Sequence, residues 1–219
     1  MKKILLASAV SLLFGLTACS KVETPANPAA KAESVQSQSQ AQYQEGVHYR
    51  IVSGIDAEGA TVPFIVEYFW LGCPHCQHFE APLQAYKAQQ PELGFVRKHA
   101  ILNESWANDG RIFYALQQTN NMDHFADLFD LYKQGMTQQR FDDFFTRNDI
   151  DKEAFLTIAG QDATVIAKMQ QSLKEMTDNK IHSVPAIVVN GKYLVVPHDD
   201  LRSNEAYFAL VDYLQTLAP

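Results

Sequence analysis

The sequence predicts an α/β fold in which a sheet-forming chain is interrupted by an inserted helical segment. Residues 63–70 form a β-branched and aromatic run, which is typical of a central strand buried on both faces. Residues 184–196 contain two further β-rich runs joined by Asn190-Gly191, a strong hairpin signal. Between them, apolar side chains follow helical spacing over residues 103–180, and we interpret these stripes as the core of a helical bundle.

The remaining elements follow in chain order. After the central strand a helix is expected to begin at Pro74, because proline is tolerated in the first turn. Pro82 lies inside this helix and is expected to kink it. The other predicted elements are a first strand at residues 49–52, a strand at 95–102, and a final helix capped by Ser203 and ending near Leu217.

The N-terminus predicts export and lipidation. Residues 1–18 read as a lipoprotein signal peptide, with two lysines followed by an apolar stretch too short to span a bilayer. Leu16-Thr17-Ala18-Cys19 resembles the bacterial lipobox, in which the cysteine is acylated; the alternative is an ordinary cleaved signal that happens to contain a cysteine. Residues 19–45 are then the lipidated N-terminus and a polar, disordered tether. We therefore expect a periplasmic protein with a membrane anchor at Cys19, in either the inner or the outer membrane.

The other two cysteines predict redox chemistry. Of three cysteines in the chain, lipidation of Cys19 leaves Cys73 and Cys76. A disulfide between residues three apart closes almost no loop, so it adds little stability even in an oxidising compartment. Cys73 falls at the junction of a strand and a helix, where free N–H groups and the helix dipole favour a thiolate. Cys76 is one turn further on, close enough to form the disulfide, and a protonated His75 would stabilise the thiolate.

These residues carry a resemblance to a known family. Residues 69–76, Phe-Trp-Leu-Gly-Cys-Pro-His-Cys, together with Ser-Val-Pro-Ala at 183–186, resemble the DsbA family of periplasmic disulfide oxidases. The resemblance implies a thioredoxin fold made of residues 46–102 and 181–219, with residues 103–180 as an inserted helical domain. A lipid anchor and tether are a departure from the soluble members of that family.

The resemblance also implies roles for individual residues. Cys73 is implied to be the exposed attacking thiolate with a low pKa, and Cys76 its buried partner. Pro185 is implied to be a cis-proline facing the disulfide, while Val184 offers backbone hydrogen bonds to a substrate strand. Glu67 is either a buried acid that exchanges a proton with Cys76, as the matching residue does in this family, or a solvent-facing strand carboxylate. In the first case, Lys98 on the next strand could neutralise it.

The function implied is donation of a disulfide to reduced exported proteins, followed by reoxidation by a quinone-linked partner in the inner membrane. A reductase or isomerase of the same fold is the alternative, although a polar tether without a dimerisation face argues for a monomer and against an isomerase. A redox-inert binding module is a third reading, which the two retained cysteines disfavour. No cofactor is implied. Trp70 either lines the substrate surface or packs at the strand end.

The sequence disfavours a zinc site at the cysteines and nucleic acid as a partner. A zinc site built from the two cysteines with His75 and His78 is disfavoured, because side chains on one helical turn cannot all converge on a tetrahedral centre. The net charge of −7 and the lack of a basic run argue against nucleic acid as a partner.

Overall fold

The computed structural model describes residues 42–218. Cys19, the signal peptide and the tether up to residue 41 lie outside the described residues, so the predictions made for them stay predictions. A mixed sheet of five strands forms the centre of the fold, in the order β1-β5-β4-β2-β3. Its strands are β1 (Tyr49–Ile51), β2 (Phe64–Phe69), β3 (Gly94–His99), β4 (Ala186–Val189) and β5 (Tyr193–Val195). Only β2 and β3 are parallel; the other neighbours are antiparallel.

Seven α-helices accompany the sheet in residues 42–218. They are α1 (Pro74–Ala88), α2 (Glu104–Gln118), α3 (Phe125–Lys133), α4 (Gln138–Arg147), α5 (Lys152–Gln161), α6 (Ala163–Asp178) and α7 (Asn204–Gln215), with short 3-10 turns at Met122–His124 and Asp199–Leu201. No helix in this part of the chain is both long and apolar enough to cross a membrane.

Local sequence signals account for several of these boundaries. Pro74 occupies the start of α1, and Pro82 lies within that helix. Ser203 caps α7 by accepting a hydrogen bond from the Ala206 N–H. Asn190 and Gly191 join β4 to β5 with φ angles of 51° and 68°. Positive φ at both central residues is what a tight hairpin turn requires.

The central strand β2 is buried along its whole length, and its side chains alternate between two apolar layers. Ile65 packs with residues of α1 and α7, including Leu83 and Val211. Tyr68 faces the opposite side, where it packs with Met176 of α6. The sheet is therefore covered on both faces, as the apolar run at residues 63–70 predicts.

The five helices α2 to α6 follow β3 and precede β4 in the chain. They enclose an aromatic core, and Phe69 at the end of β2 joins this core through edge-on contacts with Phe113, Phe125 and Phe129 at ring distances of 4.9, 5.6 and 5.9 Å. The predicted fold class, a thioredoxin fold with an inserted helical domain, is confirmed. Leu173, which follows the helical spacing of Ile166, Met169 and Met176 and is predicted to lie in the core with them, is instead 42% exposed.

The folded part begins earlier than residue 46. Tyr43 is buried and its ring packs 5.3 Å from that of Tyr213 on α7. The Gln44 N–H donates to His48 Nδ1 at 3.0 Å. An aromatic ring that can be buried against α7 offsets the cost of ordering the polar residues around it.

Candidate active site

The two cysteines lie where β2 leads into α1. Cys73 is the N-cap residue of α1, with extended backbone geometry, and its Sγ accepts a hydrogen bond from the Cys76 N–H at 3.3 Å. A free N–H at a helix start favours a negatively charged sulfur over a neutral one. From across the site, the Val184 carbonyl oxygen accepts from the Cys73 thiol at 3.7 Å. Cys76 and Val184, two of the predicted site residues, thus both contact the sulfur of Cys73.

The two sulfurs differ in accessibility. Neither cysteine is in a disulfide; Cys73 is 6% exposed and Cys76 is fully buried. Burial, and then the hydrogen bond with Cys73, raise the pKa of the Cys76 thiol well above its ordinary value. The expectation of an exposed Cys73 needs correction, because Val184 and the aromatic core enclose all but a small part of it. Access is nevertheless limited to Cys73.

Glu67 is a buried acid, not a solvent-facing one. Its carboxylate, on β2, accepts a hydrogen bond from Arg97 Nε at 2.6 Å, and Arg97 also bonds Glu80 of α1 at 2.6 Å. Burial raises the pKa of Glu67, and the Arg97 charge opposes this only in part. The negative charge of Glu67 in turn contributes to the raised pKa of Cys76, so the carboxylate and the buried thiol influence each other electrostatically.

The cation beside Glu67 is Arg97, and the expectation of Lys98 is wrong. Parallel pairing sets Glu67 opposite Arg97 and Tyr68 opposite Lys98. Since alternate residues of a strand point to opposite faces, Lys98 lies on the other side of the sheet. There its ammonium bonds the buried Glu175 of α6 at 2.8 Å.

His99 supports the loop before the cysteines, and sequence reasoning assigned it no role. Its Nε2 accepts from the Leu71 N–H at 3.2 Å, and Nδ1 faces the Ala100 carbonyl at 2.9 Å. An N–H donor on one side and a carbonyl on the other require the neutral tautomer protonated at Nδ1. Burial lowers the pKa of His99 to about 3, which matches that state. No sequence pattern marks this residue.

Trp70 connects the loop to the inserted helices. Its indole stacks on Trp106 of α2 with ring centres 4.4 Å apart, and its Nε1 donates to Asp109 at 2.6 Å. Tyr132 of α3 donates to the other Asp109 oxygen at 2.8 Å. A Cβ on Gly72 would come within 2.5 Å of the Trp70 ring, so the glycine allows this packing. The partly buried Trp70 therefore has the packing role considered from sequence.

A groove of about 760 Å³ opens beside the cysteines. Val184 and Pro185 form one wall, and the peptide bond between them is cis. The exposed His75 borders the groove together with Phe79 and Tyr207. The Val184 carbonyl, which faces the Cys73 thiol, sets this wall of the groove next to the sulfur.

The redox pair does not belong to a metal-ligand cluster. Within residues 42–218 a single group of three possible ligands occurs, His48, His198 and Asp200. The Gln44 N–H uses the lone pair on His48 Nδ1, so Nε2 carries the proton and donates to Asp200 at 3.0 Å. His48 is thus a hydrogen-bonded structural residue in this arrangement.

Comparisons with known proteins agree with this geometry. A family model described as thioredoxin matches residues 57–212. The DsbA thiol:disulfide interchange protein of Azotobacter vinelandii is 34% identical over 135 residues, covering 59% of this chain and 63% of the relative. Its counterpart from Pseudomonas aeruginosa is 31% identical over 136 residues, covering 59% of this chain and 64% of the relative. The match thus spans less than two thirds of these curated relatives.

Solved structures extend the similarity over more of the chain. The crystal structure of Pseudomonas aeruginosa DsbA superposes with a TM-score of 0.68 at 26% identity, covering 80% of this chain and 94% of that one. The chain therefore belongs to the thioredoxin family, and within that family it is similar to DsbA thiol:disulfide interchange proteins.

Proposed function

We propose that this protein is a thiol:disulfide oxidoreductase that donates a disulfide to exported proteins through Cys73 and Cys76. The observation that carries the proposal is the unequal pair of sulfurs at the start of α1. One sulfur is reachable and accepts a helix N–H, and the other is fully buried behind it. Such a pair directs attack to Cys73 and leaves Cys76 to close the disulfide.

The reaction is two successive thiol–disulfide exchanges. A substrate thiolate attacks Cys73 Sγ of the oxidised enzyme, the Cys73–Cys76 bond breaks, and Cys76 leaves with the electron pair and takes up a proton. A second substrate thiolate then attacks the substrate sulfur of the mixed disulfide, and Cys73 leaves as a thiolate. Two electrons pass from substrate to enzyme, and the substrate gains its disulfide.

Each neighbouring residue has a proposed part in these steps. Val184 and Pro185 bind the substrate backbone beside Cys73, and an exposed His75, when protonated, stabilises the Cys73 thiolate. Glu67 exchanges a proton with Cys76, whose burial disfavours the anion it must briefly become. Burial raises the pKa of Glu67 and so favours its protonated form, which is the form that can give a proton to Cys76.

The cellular setting we propose follows from the N-terminal sequence and the family. The protein acts in the periplasm as a monomer, held to a membrane by a lipid on Cys19 and a polar tether. Its substrates are reduced exported proteins. A quinone-linked enzyme of the inner membrane is the proposed partner that restores the Cys73–Cys76 disulfide.

The test is a stoichiometric oxidation. The oxidised protein is mixed with a reduced, unfolded substrate protein without other oxidants, and thiols on both are counted by mass after alkylation. One substrate disulfide per enzyme is expected, with Cys73 and Cys76 becoming free. A Cys76→Ser variant has no disulfide to donate and should leave the reduced substrate unchanged, whereas its free Cys73 thiolate should attack an oxidised substrate and stay trapped with it as a mixed disulfide. No transfer to substrate, or reduction of an oxidised substrate in preference, would favour the reductase alternative.

A further inference from the structure

The groove beside Cys73 has an unbalanced charge. The residues that line it include Arg50, Lys180 and Arg202 but no aspartate or glutamate. This contrasts with the chain as a whole, whose net charge is −7. Arg202 is neutralised, since it pairs with Asp199 at 2.7 Å. The nearby Asp200 is also engaged, by two histidines.

Two cations remain on the groove wall without a carboxylate partner among residues 42–218. Arg50 donates to the backbone carbonyls of Asn179 and Lys180 just beyond the end of α6, the second at 3.1 Å. These carbonyls carry the negative end of the helix dipole, which offsets part of the Arg50 charge. Lys180 is exposed and forms no ion pair with any described residue. Lys180 is therefore a groove-lining cation whose charge no carboxylate among residues 42–218 offsets.

The distance from this charge to the reacting sulfur has an upper limit. Lys180 and Val184 are four residues apart, so their Cα atoms are separated by at most about 14 Å. Val184 contacts Cys73. An extended peptide advances about 3.3 Å per residue, so a side chain within about four residues of the bound cysteine can reach Lys180.

We propose that this groove selects acidic substrate segments, in which a glutamate or aspartate lies within about four residues of the reacting cysteine. The preference names the substrate class of the proposed disulfide exchange and rests on that function. The cation is Lys180, supported by the fixed guanidinium of Arg50. Because the groove is open to water, the electrostatic gain is modest and sensitive to salt.

Direct binding tests the groove without any redox step. The probes are capped heptapeptides with a central serine in place of cysteine and a glutamate three residues before or after it, each paired with the glutamine version. They are titrated into the reduced full-length chain. At low salt the better-placed glutamate peptide should bind about fivefold more tightly than its glutamine partner. The ratio should approach one at 1 M salt, where screening acts over about 3 Å.

Substitutions of Lys180 identify the cation. Lys180 has a positive φ of 51°, a conformation that asparagine and aspartate tolerate well, so Lys180→Asn and Lys180→Asp suit the backbone. Lys180→Asn should abolish the glutamate preference, and Lys180→Asp should reverse it in favour of a lysine peptide. Lys133 is an exposed lysine of α3 that does not line the groove, so Lys133→Gln, which changes the net charge as much as Lys180→Asn does, should leave the preference intact.

Cysteine versions of the same peptides separate this inference from the proposed function. Faster stoichiometric oxidation of the glutamate peptide by the oxidised protein, with two peptide thiols joined per Cys73–Cys76 disulfide reduced, supports both. A glutamate preference in binding, without oxidation of any peptide, supports the groove and contradicts the oxidase. Equal affinities for glutamate and glutamine peptides, no measurable binding of either, or a preference that survives Lys180→Asp overturns the inference even if every peptide is oxidised.

Discussion

The buried His99 predicts a specific loss of stability in acid. Burial lowers its pKa to about 3 in the folded protein, against an ordinary value of 6.5 that the unfolded chain regains. Below pH 6.5 His99 is therefore protonated in the unfolded state but stays neutral in the folded state. The free energy of unfolding then falls as the pH is lowered, until the folded pKa of about 3 is reached. Each pH unit removes ~1.4 kcal/mol, so the loss between pH 6.5 and pH 4 is about 3 kcal/mol. That is a large part of the free energy of unfolding of a typical folded protein, which is about 5–15 kcal/mol.

The assay compares the wild type with His99→Gln by urea unfolding at pH 7 and pH 4. Glutamine offers one acceptor and one donor, as the neutral imidazole does for Leu71 and Ala100, but it does not titrate. The wild type should lose about 3 kcal/mol more than the variant over this range. Other groups, including Glu67 with its opposite shift, are common to both proteins and cancel in the difference.

If the wild type and His99→Gln lost equal stability between pH 7 and pH 4, that result would refute the reasoning, because His99 would then have the same pKa in the folded and unfolded states. If His99→Gln does not fold, NMR of the wild-type imidazole decides the same question. The ring should remain neutral at pH 5, with the proton on Nδ1. A protonated ring at that pH would contradict the hydrogen-bond assignment.

Three further predictions concern the site and its anchor. Glu67→Gln should slow oxidation of the enzyme or release of substrate while the protein stays folded; rates equal to wild type across pH 5–8 would leave Glu67 as a strand residue only. Gly72→Ala should destabilise the protein by about 1–3 kcal/mol and shift its fluorescence, because the new methyl group meets the stacked Trp70 ring. Gly160→Ala, which meets nothing within 4 Å, is the matched control and should be neutral or slightly stabilising. Cys19→Ala should move the protein from the membrane fraction to the soluble one with unchanged thiol chemistry; an unmodified N-terminus in the intact mass of the wild type would contradict lipidation.

The sequence predicts well the features that depend on neighbouring residues. The junction that holds Cys73 and Cys76 follows from a strand run, a proline at a helix start and a fixed spacing, all within about a dozen positions. The same is true of the hairpin at Asn190 and the cap at Ser203. In each case, local geometry alone determines the outcome.

Features that depend on strand register or distant packing were missed. Whether Arg97 or Lys98 faces Glu67 depends on which residues pair across β2 and β3, and a shift of one position exchanges the faces. His99 acquires its function from Leu71, 28 residues away, and no periodicity signals that contact. Tyr43 is an aromatic residue in a polar stretch, whose burial depends on Tyr213 at the other end of the chain.

The reduction potential of the Cys73–Cys76 pair tests most directly whether this pair drives oxidation. The full-length protein is equilibrated with glutathione buffers of known ratio, and the reduced fraction is measured by alkylation and by fluorescence of its two tryptophans. A thiolate favoured at the helix start stabilises only the reduced form, so the potential should lie well above the ~−270 mV of thioredoxin and toward the ~−120 mV of DsbA. A potential near that of thioredoxin would contradict the claim and make the protein a reductase.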